Sequence, residues 1–131
     1  MKSGMIRKYS KKGLEKRKEE RKDFPEFFQK HIEIAKNKFC EECGEKLKGN
    51  SSEIAHILPK SYYKSISTND NNIIYLCGIY SENQCHTNFD NYDEKKFKKM
   101  HCYSKISSIF TELEKEITEK ITYKTYDRYT D

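Results

Sequence analysis

The sequence predicts an α+β protein whose small core combines a cysteine knuckle, a β-hairpin and a helix, flanked by N- and C-terminal helices. Three observations indicate this fold class. Two short β-prone runs, 52–57 and 72–77, are joined by a connection of about 14 residues, which suits an antiparallel hairpin. Apolar residues recur at helical spacing on both sides of these runs. Four of the five cysteines form two pairs around them.

The composition suggests one compact domain with an appendage. Of the 131 residues, 34% are hydrophobic and 36% are charged, so the apolar core is small and a staple such as a metal ion is expected. We expect a basic helical arm at 1–22 and a single domain at 23–131. Within that domain the core spans about 39–92, and a C-terminal helix spans about 104–121.

The arm carries most of the positive charge. Residues 1–22 contain ten Lys/Arg and three Glu, a net charge of +7, and the remaining residues sum to −2. A basic arm on a nearly neutral body is typical of a protein that binds a phosphate backbone, although a solvated Lys/Glu helix is the alternative. The arm residues proposed for nucleic-acid contact are Lys8, Lys12 and Arg17.

No apolar run approaches the roughly 18 residues that span a bilayer, and the N-terminus lacks the apolar core of a signal peptide. We therefore expect a soluble, cytoplasmic protein with no membrane partner. In that compartment thiols stay reduced, which argues against a disulfide framework.

The flanking helices are predicted from caps and apolar spacing. Asp23-Phe-Pro-Glu resembles a helix start, and an amphipathic helix over 24–37 is expected to dock on the body. A second helix should run from Cys85 to about Lys99. The last helix carries an apolar stripe that serves either core packing or a homodimer seam, formed by Ile106, Ile109, Phe110, Leu113, Ile117 and Ile121.

The two cysteine pairs predict a structural zinc site. Cys40 and Cys43 form a C-x2-C knuckle, and Cys77 and Cys85 form a wider pair whose intervening residues can bulge out as a loop. Four unrelated reduced thiols are the alternative. Four thiolates leave no open coordination position, so this zinc cannot activate water. Cys102 is left over as an unliganded thiol.

A second cation site is suggested one residue after the last zinc ligand. His86 and Asp90 are four residues apart and share one face of a helix. The strand that carries His56 is the natural packing neighbour of that helix, and Asn72 stands at the start of the second strand. A divalent ion with a neutral histidine as general base can hydrolyse a phosphodiester, and an amide can hold the loop in register.

The segments C-x2-C, EIAHILP, NIIYLC and CHTNFD, in this order, resemble the HNH endonuclease (ββα-metal) family in its zinc-stapled, phage-type form, over about residues 39–92. The resemblance implies a treble-clef core with His56 as general base, Asn72 as the middle asparagine and His86 as a ligand of the catalytic metal. It implies a DNA substrate, with RNA not excluded, and Mg²⁺ or another divalent ion as cofactor. A phage origin would place the protein in the host cell cytoplasm. By the same resemblance, the structural zinc ligands are Cys40, Cys43, Cys77 and Cys85.

One position departs from the family pattern. Many such nucleases carry Asp or His just before the general base, and this chain has Ala55, which cannot coordinate a metal. We favour Asp90 as the replacement carboxylate for the catalytic ion. The alternatives are His56 as a ligand, help from Glu53 or Asn88, or an inactive site.

An inactive site would leave a non-catalytic, zinc-stapled module that binds nucleic acid. In either case Lys60 and Lys64 flank the site and could contact phosphates, although surface lysines are often simply solvated.

Overall fold

The computed structural model describes residues 25–131, so the predicted basic arm at 1–22 lies outside the described residues. The chain forms helix α1 over 25–35, strands β1 (Ile54–His56) and β2 (Ile73–Tyr75), and helices α2 (Cys85–Asn91), α3 (Glu94–Phe97), α4 (Tyr103–Leu113) and α5 (Tyr123–Tyr129). Short 3-10 helices occupy Ser51–Glu53, Lys64–Ile66 and Asp70–Asn72. Within this part of the chain, every helix is too short or too polar to cross a membrane.

The hairpin is the centre of the fold, and the α+β prediction is confirmed. β1 and β2 pair antiparallel, with Ala55 opposite Ile74 and His56 opposite Ile73. The pairing continues beyond the strands through backbone bonds, since the N–H of Ile57 donates to the carbonyl of Asn72 at 2.9 Å. Ala55 and Ile74 are completely buried, so this face of the hairpin belongs to the core.

The cysteine knuckle packs against the edge of β2. The Cys40 N–H donates to the Glu45 carbonyl at 2.7 Å, and Gly44 closes the turn at φ +80°, a conformation that favours glycine. Glu41 then exchanges two hydrogen bonds with Tyr75: its N–H donates to the Tyr75 carbonyl, and its carboxylate accepts from the Tyr75 N–H at 3.0 Å. The knuckle is thereby fixed beside the second strand.

Helix α1 docks on the hairpin, as its amphipathic pattern predicts. Phe27 and Ala35 are buried, and so is His31, which is only 2% exposed. The His31 ring makes two bonds: Nδ1 lies 2.7 Å from the Tyr75 hydroxyl, and Nε2 lies 2.9 Å from the Asp70 carboxylate. His31 therefore joins α1 to β2 and to the segment just before it.

The predicted helix from Cys85 to about Lys99 is two helices. The chain leaves helical geometry at Tyr92, and the Asp93 side chain then accepts from the Lys96 N–H at 2.9 Å to start α3. Asp93 is a favourable N-cap, and this capping preference overrides the helical propensity of the lysine-rich sequence. The prediction of one continuous helix was wrong for this reason.

The predicted C-terminal helix at about 104–121 ends early, at Leu113. Tertiary hydrogen bonds replace helical ones beyond it: the Thr118 N–H donates to Ser65 Oγ at 3.2 Å, and the Ser65 N–H donates to the Glu119 carboxylate at 3.0 Å. The central stripe of α4 is used in the chain's own core, through Ile106, Phe110 and Leu113. The homodimer seam stays a prediction.

Helix α5 was not predicted. Thr122 caps it by accepting from the Thr125 N–H, and Tyr129 anchors it by stacking on Phe110 at a ring separation of 5.4 Å. The buried Tyr129 hydroxyl also donates to the carbonyl of Ile57, just after β1. These contacts bring α5 alongside α4 and the end of β1.

Candidate metal centre and active site

The two cysteine pairs meet in one cluster. The Sγ atoms of the four residues lie within 4.8 Å of one another, and Cys43 Sγ is 3.8 Å from Cys77 Sγ. Tetrahedral zinc with Zn–S bonds of about 2.3 Å requires S–S separations of about 3.8 Å, so the arrangement fits a zinc ion. The knuckle, the segment after β2 and the first residue of α2 supply the ligands, which are Cys40, Cys43, Cys77 and Cys85.

Backbone groups support thiolate character in this cluster. The Cys43 N–H donates to Cys40 Sγ at 3.4 Å, and the Cys85 N–H donates to Cys77 Sγ at 3.2 Å. Burial raises the pKa of the Cys40 and Cys85 thiols, whereas at Cys43 backbone and side-chain hydrogen bonds overcome burial and lower the pKa to about 7. Four neighbouring thiolates would repel one another unless a cation lay between them. The geometry of the cluster therefore suits a bound cation.

His56 stands at the end of β1 with one ring nitrogen fixed. Its Nε2 lies 2.9 Å from the carbonyl oxygen of Ser67, and because a carbonyl only accepts, Nε2 carries the hydrogen. The neutral ring therefore keeps its lone pair on Nδ1. Burial lowers the pKa of His56, and the positive charge of nearby Lys60 lowers it further, against the opposing effect of the Ser67 bond. The ring is thus held neutral at physiological pH.

His86 has the opposite tautomer. Its Nδ1 lies 2.6 Å from the carbonyl oxygen of Ser52, so Nδ1 carries the hydrogen and Nε2 keeps the lone pair. That Nε2 lies 3.3 Å from Asp90 Oδ2. A nitrogen lone pair and a carboxylate oxygen at this distance are placed to bind one cation together.

The His86–Asp90 pair fits a divalent cation. Octahedral Mg²⁺ with bonds of about 2.1 Å places neighbouring ligand atoms about 3 Å apart, close to the separation observed. The carbonyl that receives Nδ1–H is the partner that orients a metal-binding histidine. The Asp90 side chain is 59% exposed, which leaves room for water and a phosphate oxygen.

The other candidate ligands for that cation are engaged elsewhere. The Glu53 carboxylate is buried and accepts the N–H groups of residues 48–50, and the Asn88 amide donates to the Asn83 carbonyl. Ala55 lies in the core. Within residues 25–131, only the four cysteines form a group of three or more metal-binding side chains. The second cation would thus be held by two protein ligands and by water or substrate.

Asn72 is fully buried and bonds only to backbone. Its Oδ1 accepts from the Leu58 N–H at 2.8 Å, and its Nδ2 donates to the Leu58 carbonyl at 3.0 Å and to the Ile66 carbonyl at 3.4 Å. These bonds fix the connection between the strands, including the segment whose Ser67 carbonyl holds His56. The side chain therefore positions the site and does not reach a substrate.

One cleft of about 710 Å³ gathers the predicted site residues that carry chemistry. His56, His86, Asp90 and Lys60 line it. Of the other predicted contacts, Lys64 is exposed outside the cleft lining, and Lys8, Lys12 and Arg17 lie outside the described residues. His56 and His86 therefore face one space from a strand and a helix.

Helix α5 contributes Lys124 and Arg128 to the cleft, and neither residue was predicted from the sequence. The Arg128 guanidinium donates to the carbonyls of Phe89 and Tyr92, each at 2.7 Å, so it also closes the end of α2. A signal existed in the sequence: the Thr122 cap precedes tyrosines spaced three residues apart at 123, 126 and 129.

Comparison with known proteins gives one match. Residues 40–91 match the family model described as HNH endonuclease. The matched segment begins at the first zinc-type cysteine and ends with α2, so it contains the cysteine cluster, the hairpin and both histidines of the cleft. The chain matches no curated protein and no solved structure.

Proposed function

We propose that this chain, whose residues 40–91 form an HNH endonuclease domain, is a metal-dependent endonuclease that hydrolyses DNA phosphodiester bonds with His56 as its general base. The observation that carries the proposal is that the two histidines of one cleft place opposite ring nitrogens against backbone carbonyls. His56 keeps a lone pair on Nδ1, and His86 keeps one on Nε2 beside a carboxylate. One imidazole is thereby suited to accept a proton, and the other is suited to bind a cation.

His56 activates the attacking water in this mechanism. The water oxygen bonds to phosphorus while its proton moves to His56 Nδ1, and the bond from phosphorus to one ester oxygen breaks. That oxygen leaves with the electron pair and takes a proton from solvent. The Ser67 carbonyl orients the ring, and it stabilises the imidazolium that forms because Nε2–H remains its donor. The lowered pKa of His56 keeps the base form populated at neutral pH.

His86 and Asp90 would hold the catalytic cation, with Mg²⁺ as the ordinary choice for an oxygen-rich site. When bound, such an ion supplies positive charge to the scissile phosphate and to the leaving oxygen. The Ser52 carbonyl fixes the orientation of His86, and the exposed Asp90 side chain leaves the site open toward solvent. Lys60 adds positive charge at the same cleft.

The cysteine cluster and Asn72 hold this arrangement in place. Cys85 is the residue before His86, so zinc at the cluster fixes the first turn of α2. Asn72 fixes the connection that carries the Ser67 carbonyl. Zinc would therefore be structural, and removing it would disturb His86 without removing a catalytic group.

The test is a plasmid-nicking assay across Mg²⁺, Mn²⁺, Co²⁺ and Ni²⁺. Wild-type protein should convert supercoiled DNA to open circles, and His56→Ala should lose at least about a hundredfold in rate, the usual contribution of a general base. His101→Ala is the matched control, because His101 is exposed and lies outside the cleft lining. Full activity in His56→Ala, with unchanged zinc content, would remove His56 from the mechanism.

Ala55 favours a second candidate function. It is completely buried and offers no metal ligand where many relatives of this type carry one, so the site could have lost catalysis and kept nucleic-acid binding. Protein that shifts DNA in a gel and never nicks it with any of the four ions would support this zinc-stapled binding module. Parallel digestion of RNA and DNA identifies the nucleic acid.

A further inference from the structure

We infer that the rim of the cleft binds unstacked bases, so that the preferred substrate is DNA with a single-stranded segment beside the scissile phosphate. The inference rests on the proposed function for the choice of DNA, and it adds the structural class of the substrate. The rim has two parts: the loop residues 60–62 that follow β1, and the first residues of α5. Lys60 and Ser61 line the cleft from the loop, and Lys124 and Thr125 line it from α5.

Each part of the rim presents a tyrosine to solvent. Tyr62 is 71% exposed and Tyr123 is 79% exposed. Each is the chain neighbour of a residue that lines the cleft, since Tyr62 follows Ser61 and Tyr123 precedes Lys124. Neither ring is buried in the core, and the ring of Tyr62 lies 6.4 Å from that of Tyr63.

Buried Tyr63 holds the two parts of the rim together. Its hydroxyl lies 2.9 Å from Thr125 Oγ1 and accepts from the Thr122 N–H at 3.4 Å. Tyr63 is only 3% exposed, so this junction is fixed. Tyr62 and Tyr123 each lie one chain position from a residue of the junction. The backbones of Tyr62 and Tyr123 are therefore held near each other beside the cleft, although neither ring lines the cleft itself.

The chemistry of this surface fits single strands better than duplex. Lysines beside exposed aromatic rings are the combination that single-strand binding proteins use, because the lysines attract phosphates and the rings stack on bases. The faces of paired bases are covered by their neighbours in a duplex and cannot stack on a side chain. A surface of lysines alone would bind the phosphates of single strands and of duplexes alike.

The first experiment measures the affinity of full-length protein for a labelled single-stranded oligonucleotide and for the matched duplex, without added Mg²⁺. Tyr62→Ala and Tyr123→Ala should each weaken single-strand binding roughly fivefold to tenfold, the effect of losing one stacked base. Tyr62→Phe and Tyr123→Phe keep the ring and should stay within about twofold of wild type. Duplex affinity should change less than single-strand affinity in all four variants.

Tyr80 provides a matched control. It is 71% exposed, as Tyr62 is, but it lies in the loop between Cys77 and Cys85, and neither Tyr80 nor its chain neighbours line the cleft. Tyr80→Ala should bind like wild type. The inference is overturned if the rim variants behave like Tyr80→Ala, if single-strand and duplex affinities fall equally, or if the Phe variants lose as much as the Ala variants. Tighter binding of single-stranded RNA than of DNA would also overturn it.

Cleavage separates this inference from the proposed function. Duplex DNA with an unpaired bubble should be cut faster than the fully paired duplex, and Tyr62→Ala with Tyr123→Ala should remove that preference. If wild type cuts both duplexes at the same rate and the rim variants cut them at that rate too, the proposed substrate class is wrong and the nuclease assignment stands. If nothing is cut but the rim variants lose single-strand binding, the nuclease assignment is wrong and the binding surface stands.

Discussion

Each histidine of the cleft has one ring nitrogen occupied by a backbone carbonyl, and that carbonyl decides which nitrogen remains for chemistry. Ser67 takes the Nε2 hydrogen of His56, and Ser52 takes the Nδ1 hydrogen of His86. Both carbonyls come from segments that precede or join the two strands. The roles of the imidazoles thus depend on backbone placement, which residue types alone do not reveal.

The pH dependence of nicking follows from the environment of His56. Burial lowers its pKa below the ordinary value of 6.5, and the base form must be present for activity. The rate should therefore fall only as the pH drops through a midpoint below 6.5, and it should be flat above it. A pH–rate profile at saturating metal measures this midpoint. A midpoint above 6.5 would contradict the environment described.

Lys60 provides an internal check on that profile. Its positive charge opposes protonation of His56, so Lys60→Gln should move the acid limb toward higher pH. The same variant should also weaken DNA binding. Measuring the profile at saturating DNA separates this effect from the shift in pH dependence. An unmoved limb would show that the charge at position 60 does not reach the imidazole.

Gly78, in the loop between Cys77 and Cys85, packs against Ser52, whose carbonyl bonds to His86. A Cβ at this position would lie 1.9 Å from Ser52 Oγ and 2.9 Å from the Ser52 carbonyl carbon. Gly78→Ala should displace Ser52, the acceptor for His86, and lower cation affinity and nicking by at least about tenfold. Gly44→Ala is the control, because its Cβ meets nothing within 4 Å and only the positive φ costs stability, about 1 kcal/mol. Equal activity in both variants would contradict the proposed coupling.

At the scale of elements, α2 carries residues of both candidate cation sites within seven residues. It begins at Cys85 in the cysteine cluster, and it carries His86 and Asp90 on one face. The spacing of these residues predicted the shared face correctly. The end of α2 could not be predicted from the local sequence, because Arg128, far along the chain, binds its last carbonyls.

Arg128→Ala tests that connection. The variant leaves two carbonyls of α2 without their charged donor, and it also removes the guanidinium from the Phe97 ring, 4.3 Å from its centroid. We expect a loss of about 2–4 kcal/mol in the free energy of unfolding, measured by urea denaturation. Arg128→Lys should recover only part of this, since a single ammonium does not reproduce the two-pronged guanidinium contact. An unchanged unfolding midpoint in Arg128→Ala would contradict the role.

At the scale of the whole molecule, the hairpin joins elements that have little core of their own. The four cysteines join the knuckle, the segment after β2 and the start of α2. His31 attaches α1 to the hairpin through Tyr75, and Tyr129 attaches α5 to it through the Ile57 carbonyl. Each attachment combines polar contacts with packing against the buried apolar cluster. We expect zinc at the cysteine cluster to contribute much of the stability of this fold.

Removing zinc should therefore unfold the core rather than merely inactivate it. Treatment with a strong zinc chelator should lower the thermal midpoint sharply and release one zinc ion per chain. Cys43→Ser should behave similarly, whereas Cys102→Ser should keep zinc, because Cys102 lies outside the cluster. Retained thermal stability after complete zinc removal would contradict a structural role for the metal.

Local patterns in the sequence predicted the parts of the fold that depend on local chemistry. The C-x2-C spacing predicted the knuckle, two short β-prone runs predicted the hairpin, and the His86–Asp90 spacing predicted a shared helix face. Two missed features, the break at Asp93 and helix α5, have local caps that were overlooked, whereas the segment after Leu113 is held by bonds to the distant residue Ser65. The Ser52 and Ser67 carbonyls were missed because their bonds to the histidines also join distant segments.

We propose that the protein has two separate cation sites, a closed cysteine cluster and an open His86–Asp90 site. The most direct measurement is titration of the zinc-loaded protein with Mn²⁺, followed by electron paramagnetic resonance and by nicking on the same samples. Wild type should bind one Mn²⁺ and become active as it binds. Asp90→Asn should keep its zinc, bind Mn²⁺ at least about tenfold more weakly and require correspondingly more for activity. Equal Mn²⁺ affinity in Asp90→Asn, or nicking by wild type before any Mn²⁺ is added, would contradict the account.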